Sequence, residues 1–159
     1  MLNDRLIKGN ILSCNGTLLK KEIALENKFK EDRALAGSED WLLWLILSSK
    51  YDFVGFSEVT STLVQHDGRS MAQMDGDKTL ARLTLLQEYL EKAVSFQDKY
   101  GTEMPAVCGS GELLVALDFA LEKKKMSSLK YLFRSIAHDR KLILSRRVLA
   151  VVKHLILRW

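Results

Sequence analysis

The sequence predicts a mixed α/β chain, with a short strand–helix–strand–strand region over residues 1–74 and a helical region over 75–159. Three observations lead to that reading. Residues 53–56 and 59–65 are rich in β-branched and aromatic side chains, the composition of strands, and residues 11–19 read as a further strand. Residues 41–47 form an apolar run at helical spacing behind a polar start. After residue 75, apolar residues recur every three or four positions.

The elements follow in order. Residues 11–19 read as a strand interrupted by Gly16, the mark of a bulge or a close backbone approach. In that strand Cys14 is expected to be buried. Residues 20–26 fit a short helix, and 27–37 a polar loop with Phe29 as its large apolar anchor. Ser38 then suits an N-cap, and Glu39 and Asp40 suit the positive end of a helix dipole. Trp41, Leu42, Leu45 and Ile46 share a face that Trp44 and Leu47 widen. Residues 53–56 and 59–65 read as two strands joined at Ser57-Glu58, with a loop over 66–70. A long amphipathic helix is expected over 79–99, then a break over 101–111 holding Pro105, then helices over 112–125, 127–138 and 142–159. Three strands are few for a sheet, which commonly has about four to six, so the sheet's remaining strands are expected upstream.

Composition narrows the class. The chain has 159 residues, 47% apolar and 28% charged, enough for one core and unlike a disordered segment. No uninterrupted apolar run approaches the roughly 20 residues of a membrane span, and no basic tip precedes an apolar leader. Cys14 and Cys108 stand in no metal or redox spacing, so a reducing, cytoplasmic setting is expected. Residues 1–122 hold 13 basic and 19 acidic side chains, whereas 123–159 hold 11 basic and one acidic. The tail also carries Leu142, Ile143, Leu149, Val152, Leu155 and Ile156. A basic amphipathic tail suggests an anionic membrane surface as a partner and a peripheral place on the inner face of the cell membrane. No aromatic–basic interleaving points to nucleic acid.

The stretch Gly37-Ser38-Glu39-Asp40-Trp41-Leu42-Leu43-Trp44-Leu45 carries the chemistry. With Glu26-Asn27-Lys28-Phe29 before it, and Tyr51-Asp52-Phe53 and Val64-Gln65-His66-Asp67-Gly68-Arg69-Ser70 after it, it resembles family 2 glycosyltransferases of the GT-A type. The resemblance covers about residues 9–70, and the approach to Phe29 lacks the family's paired glycines. Arg146-Arg147-Val148-Leu149-Ala150 is similar to the basic ends of bacterial members.

The resemblance implies the carboxy-terminal, acceptor-side half of an inverting transferase for polysaccharide or glycan synthesis. The donor half would precede Met1, so the chain alone is expected to be inactive. The partners implied are a nucleotide-sugar donor and a glycan or lipid-linked acceptor. Asp40 takes the role of general base and Glu39 orients it or the acceptor. Trp41 and Trp44 would wall the acceptor pocket, with core packing as the alternative for Trp44. His66 and Arg69 would lie near the donor diphosphate or its metal. The family implies a divalent cation, Mg²⁺ or Mn²⁺, whose Asp-x-Asp ligands lie mostly outside this chain. Asp75-Gly76-Asp77 has that pattern, but its place before a helix reads as an N-cap. Without the resemblance, Ser-Glu-Asp before an apolar run is an ordinary helix start, and the chain reads as a non-catalytic helical interaction module with a basic membrane- or partner-facing tail.

Overall fold

The computed structural model describes residues 2–59, 61, 62, 64 and 75–157. Among these residues the regular elements are eight α-helices and four short 3-10 turns. The helices are α1 (Leu2–Ile7), α2 (Lys21–Glu26), α3 (Glu39–Lys50), α4 (Gly76–Lys92), α5 (Val94–Tyr100), α6 (Met104–Leu121), α7 (Lys125–His138) and α8 (Arg146–Leu157).

The fold class expected from sequence is therefore corrected: the chain is helical, and the described residues contain no strand. Residues 11–19 carry a 3-10 turn, Cys14–Gly16, in otherwise non-helical backbone, and Cys14 is exposed there instead of buried in a strand. Residues 53–59 lie in no ladder, and Val54, Phe56 and Val59 are largely exposed. β-Branched composition measures how well a residue suits a pleated, half-covered surface, and here no neighbouring strand supplies one. Asn3 of α1 anchors this segment instead. Its side-chain amide donates to the carbonyl oxygens of Ser48 and Tyr51, and its Oδ1 accepts from the N–H of Phe53.

Two apolar clusters form the interior. The first joins Leu6 and Ile7 of α1, Leu35, the buried face of α3, Leu86 and Leu90 of α4, Phe96 and Tyr100 of α5, and Val107 of α6. Fully buried leucines such as Leu42 and Leu45 are each worth about 2 kcal/mol. The second cluster gathers Leu83 of α4, Leu113, Val115, Ala116, Phe119 and Ala120 of α6, Tyr131 and Leu132 of α7, and Val148 and Val151 of α8. Helix α4 thus contributes to both.

Helix α6 is buried on most of its circumference, as an all-round apolar helix must be. The stretch Val94–Leu121 has the length and hydropathy of a bilayer crossing, with 61% of its most apolar window buried inside the molecule. Pro105 sits in the first turn of α6, where its missing N–H costs no hydrogen bond. Gly111 lets α4 approach α6: a Cβ there would lie 2.2 Å from Cδ1 of Leu83.

Candidate functional site

The chain enters α3 through Gly37, at φ 91°, a left-handed conformation that suits glycine. Ser38 takes the N-cap position, but its hydroxyl makes no capping bond. The Glu39 carboxylate accepts from the N–H of Gly37 instead. Asp40 Oδ1 accepts from the N–H of Trp41 at 2.7 Å. Ser38, Glu39 and Asp40 are each half-buried. Among the described residues, no basic side chain lies within ion-pair distance of Asp40. The turn at residues 14–16 approaches this corner. The Cys14 thiol is pushed above its ordinary pKa, first by partial shielding of the sulfur from water and then by the negative charges of Asp40 and Glu39.

A buried polar chain fixes the approach to α3. Thr79 Oγ1 donates to Oδ2 of Asp118 at 2.7 Å and accepts from Nη2 of Arg82 at 2.7 Å. Nη1 of Arg82 donates to the carbonyl of Ala36 at 3.1 Å. Burial pushes the Asp118 carboxyl above the usual carboxylate range, against the Thr79 hydrogen bond and the charge of Arg82. Helix α6 thus reaches, through α4, the residues that set Asp40 in place.

Beside this corner lies a cavity of about 370 Å³. Its floor is apolar, from Leu83 and Leu86 of α4 and Leu113 and Leu117 of α6. Its rim holds Asn10, Ser38, Ser110 and Arg147. Arg147 Nη1 donates to the carbonyl of Lys8 at 3.1 Å and to Ser110 Oγ at 3.0 Å, and Ser110 Oγ donates to the Lys8 carbonyl at 2.6 Å. Gly9 makes room for that guanidinium, since a Cβ there would meet Nη2 at 2.8 Å.

No protein-family model, curated protein or solved structure matches this chain.

The structure separates the residues singled out from sequence. Trp41 borders the cavity, is 8% exposed, and donates from its indole N–H to the Leu6 carbonyl at 2.9 Å. Trp44 lies in the core at 2% exposure, with Phe29 and Phe53 packed edge-on against it and its indole N–H without an acceptor. Asp40 and Glu39 are not on the cavity wall; their neighbours Ser38 and Trp41 are. His66 and Arg69 lie outside the described residues.

Among the described residues, no three His, Cys, Asp or Glu side chains cluster. Asp75 caps α4, its Oδ1 accepting from the N–H of Lys78 at 3.0 Å, and Asp77 pairs with Lys124 Nζ at 2.9 Å. Sequence reasoning missed Arg82, Thr79, Asp118, Ser110 and Arg147 as parts of this region. Local pattern gave no signal for them, because apart from the Thr79–Arg82 pair their partners lie 37 to 139 residues away.

Proposed function

We propose that this chain is the acceptor-side part of an inverting glycosyltransferase, with Asp40 as general base. The sugar would move from a nucleotide-diphosphate donor to a hydroxyl of a glycan or lipid-linked acceptor. The observation that supports the reading is the state of Asp40. It sits in the first turn of α3, half-buried, at the positive end of the helix dipole, with no basic partner among the described residues.

The acceptor proton would pass to an Asp40 carboxylate oxygen as the acceptor oxygen bonds to the anomeric carbon. The bond from that carbon to the nucleotide diphosphate breaks in the same step. Glu39, tied to the Gly37 N–H, holds the corner rigid. Trp41, on the cavity rim, is the aromatic surface nearest in sequence for an acceptor. The donor nucleotide and its cation would be held by residues outside this chain, in a longer protein or a partner.

The test is Asp40→Asn in the full-length protein. Transfer should fall by about 100- to 10,000-fold, the usual range for losing a general base, with the thermal midpoint unchanged. Retained transfer overturns the assignment.

A second reading, a non-catalytic helical interaction module, is favoured by the helical fold itself. It predicts that neither the parent nor Asp40→Asn transfers sugar.

A further inference from the structure

The tail's charge and its apolar side chains can be divided by what they touch. Helices α7 and α8 both pack on α6. In α8, Val148 and Val151 are buried and Val152 and Leu155 pack against the same cluster. The stripe that made the helix amphipathic in sequence is therefore spent on the chain's own core. Leu142 joins them there. Leu149 and Ile156 remain outside at 64% and 59% exposure. They lie seven residues apart, on one helix face, with Arg146 and Lys153 exposed beside them. Helix α7 repeats the arrangement. Its outer face carries Met126 and Phe133, 81% and 67% exposed, together with Lys130 and Arg134.

The basic residues also sort into two groups. Lys124 pairs with Asp77 and Glu122, Arg134 with Glu112, and Arg147 holds Lys8 and Ser110. Lys130, Arg140, Lys141, Arg146 and Lys153 have no acidic partner within ion-pair distance among the described residues. Asp139 is the lone acidic residue after Glu122.

We infer that the outer faces of α7 and α8 dock on an anionic lipid bilayer. The mode is shallow. Side chains such as Phe133, Leu149 and Ile156 enter the interface, and the unpaired Lys and Arg residues meet the headgroup charge. Deep insertion of α8 is ruled out by its buried stripe. Charge complementarity selects an anionic surface, and the large apolar side chains between the cations select lipid over nucleic acid, whose phosphates would leave them in water. The inference does not rest on the transfer reading, so it can hold where that one fails.

The experiment is co-sedimentation of the full chain with phosphatidylcholine vesicles, with and without phosphatidylglycerol. Binding should require phosphatidylglycerol and fall as salt shortens the Debye length. A variant with Lys130→Gln, Arg146→Gln and Lys153→Gln should bind about 100-fold more weakly, at about 1 kcal/mol for each charge. Phe133→Ser with Leu149→Ser should weaken binding at fixed charge. All five positions are exposed, and an unchanged circular-dichroism melt confirms the fold of each variant. The proposal is overturned if the chain stays in the supernatant at low salt or binds neutral vesicles equally. Unchanged binding by the triple variant overturns it as well, as does a duplex DNA that competes all vesicle binding away while the Phe133/Leu149 variant behaves as the parent.

Discussion

Arg134 places Nη2 2.7 Å from Oε1 of Glu112, a carboxylate only 3% exposed in the contact between α7 and α6. The second oxygen, Oε2, accepts no hydrogen bond and has His138 Nε2 3.6 Å away. Burial pushes the Glu112 carboxyl above the usual range, and Arg134 and His138 offset only part of that.

The sign of the pH dependence follows. A carboxyl raised in the folded state binds more protons there than in the unfolded chain, so its contribution to stability falls as pH rises from the unfolded value, about 4.3. Glu112→Gln should remove that share of the decline, seen as a flatter plot of urea midpoint against pH. A slope identical to the parent's would show that Glu112 does not titrate in that window.

Arg134→Met should be costly for the opposite reason. It leaves the buried carboxylate without its close donor, a loss of about 1–3 kcal/mol. Chemical denaturation measures it, and in the Glu112→Gln background the loss should shrink to a few tenths of a kcal/mol, the usual scale of a surface change.

The two tryptophans should respond differently to shortening. Trp41→Phe gives up the bond to the Leu6 carbonyl as well as ring volume. Trp44→Phe gives up volume but also removes an indole N–H that has no acceptor. Denaturation should therefore find Trp41→Phe the more destabilising by about 1 kcal/mol. The reverse order would mean that packing alone governs both sites.

Asp75 works as a cap. Its carboxyl is held below the usual range, first by the Lys78 backbone N–H, so its stabilisation is present above the unfolded value and lost as pH falls through the folded one. Asp75→Asn should keep the cap and lose that acid sensitivity, whereas Asp75→Ala should lower the thermal midpoint at neutral pH as well. Titration of the chain with a nucleotide diphosphate and Mn²⁺ should give no micromolar affinity, about −8 kcal/mol, in the parent or in either variant.

Arg82 is a positioning residue if the transfer reading holds. Arg82→Met frees the Ala36 carbonyl and loosens the entry to α3. In the full-length enzyme kcat should drop about 10-fold with KM little changed, and Arg82→Lys should restore part of it. Equal falls in stability and kcat would reduce its role to support of the fold.

What the sequence makes legible is local. The start of α3 could be read from Ser38-Glu39-Asp40, because a helix entry is encoded within a few residues. Helix α4 could be read from its leucine period, but not its break at Ala93. The apolar spacing of Leu90, Ala93 and Val94 runs through that point, and the turn there is held by the bond from Gln97 Nε2 to the Leu90 carbonyl. The 101–111 stretch was misread for a related reason. Its glycines and proline look like a break, yet Pro105 opens α6, and Gly109 and Gly111 lie within it as close-packing positions against α7 and α4. The strands failed because extended backbone becomes sheet only with a partner, and composition does not report partners. The place of Glu39 and Asp40 in the first turn of α3 was readable, whereas the Asp118–Thr79–Arg82 chain and the Arg147 rim depend on contacts far apart in sequence.

The contact between Arg147 and the Lys8 carbonyl spans 139 residues, and it orders events during synthesis. On the ribosome, α3 and its polar entry are complete long before residue 147 is made. At about 5–20 residues per second, the rim stays without its guanidinium for on the order of ten seconds. From the completion of α6 at Leu121 to residue 147, roughly 1–5 seconds, the apolar floor laid down by α4 and α6 stands open at one side, accessible to chaperones or to neighbouring nascent chains. Arrival of α8 thus places Arg147 on that side of the cavity.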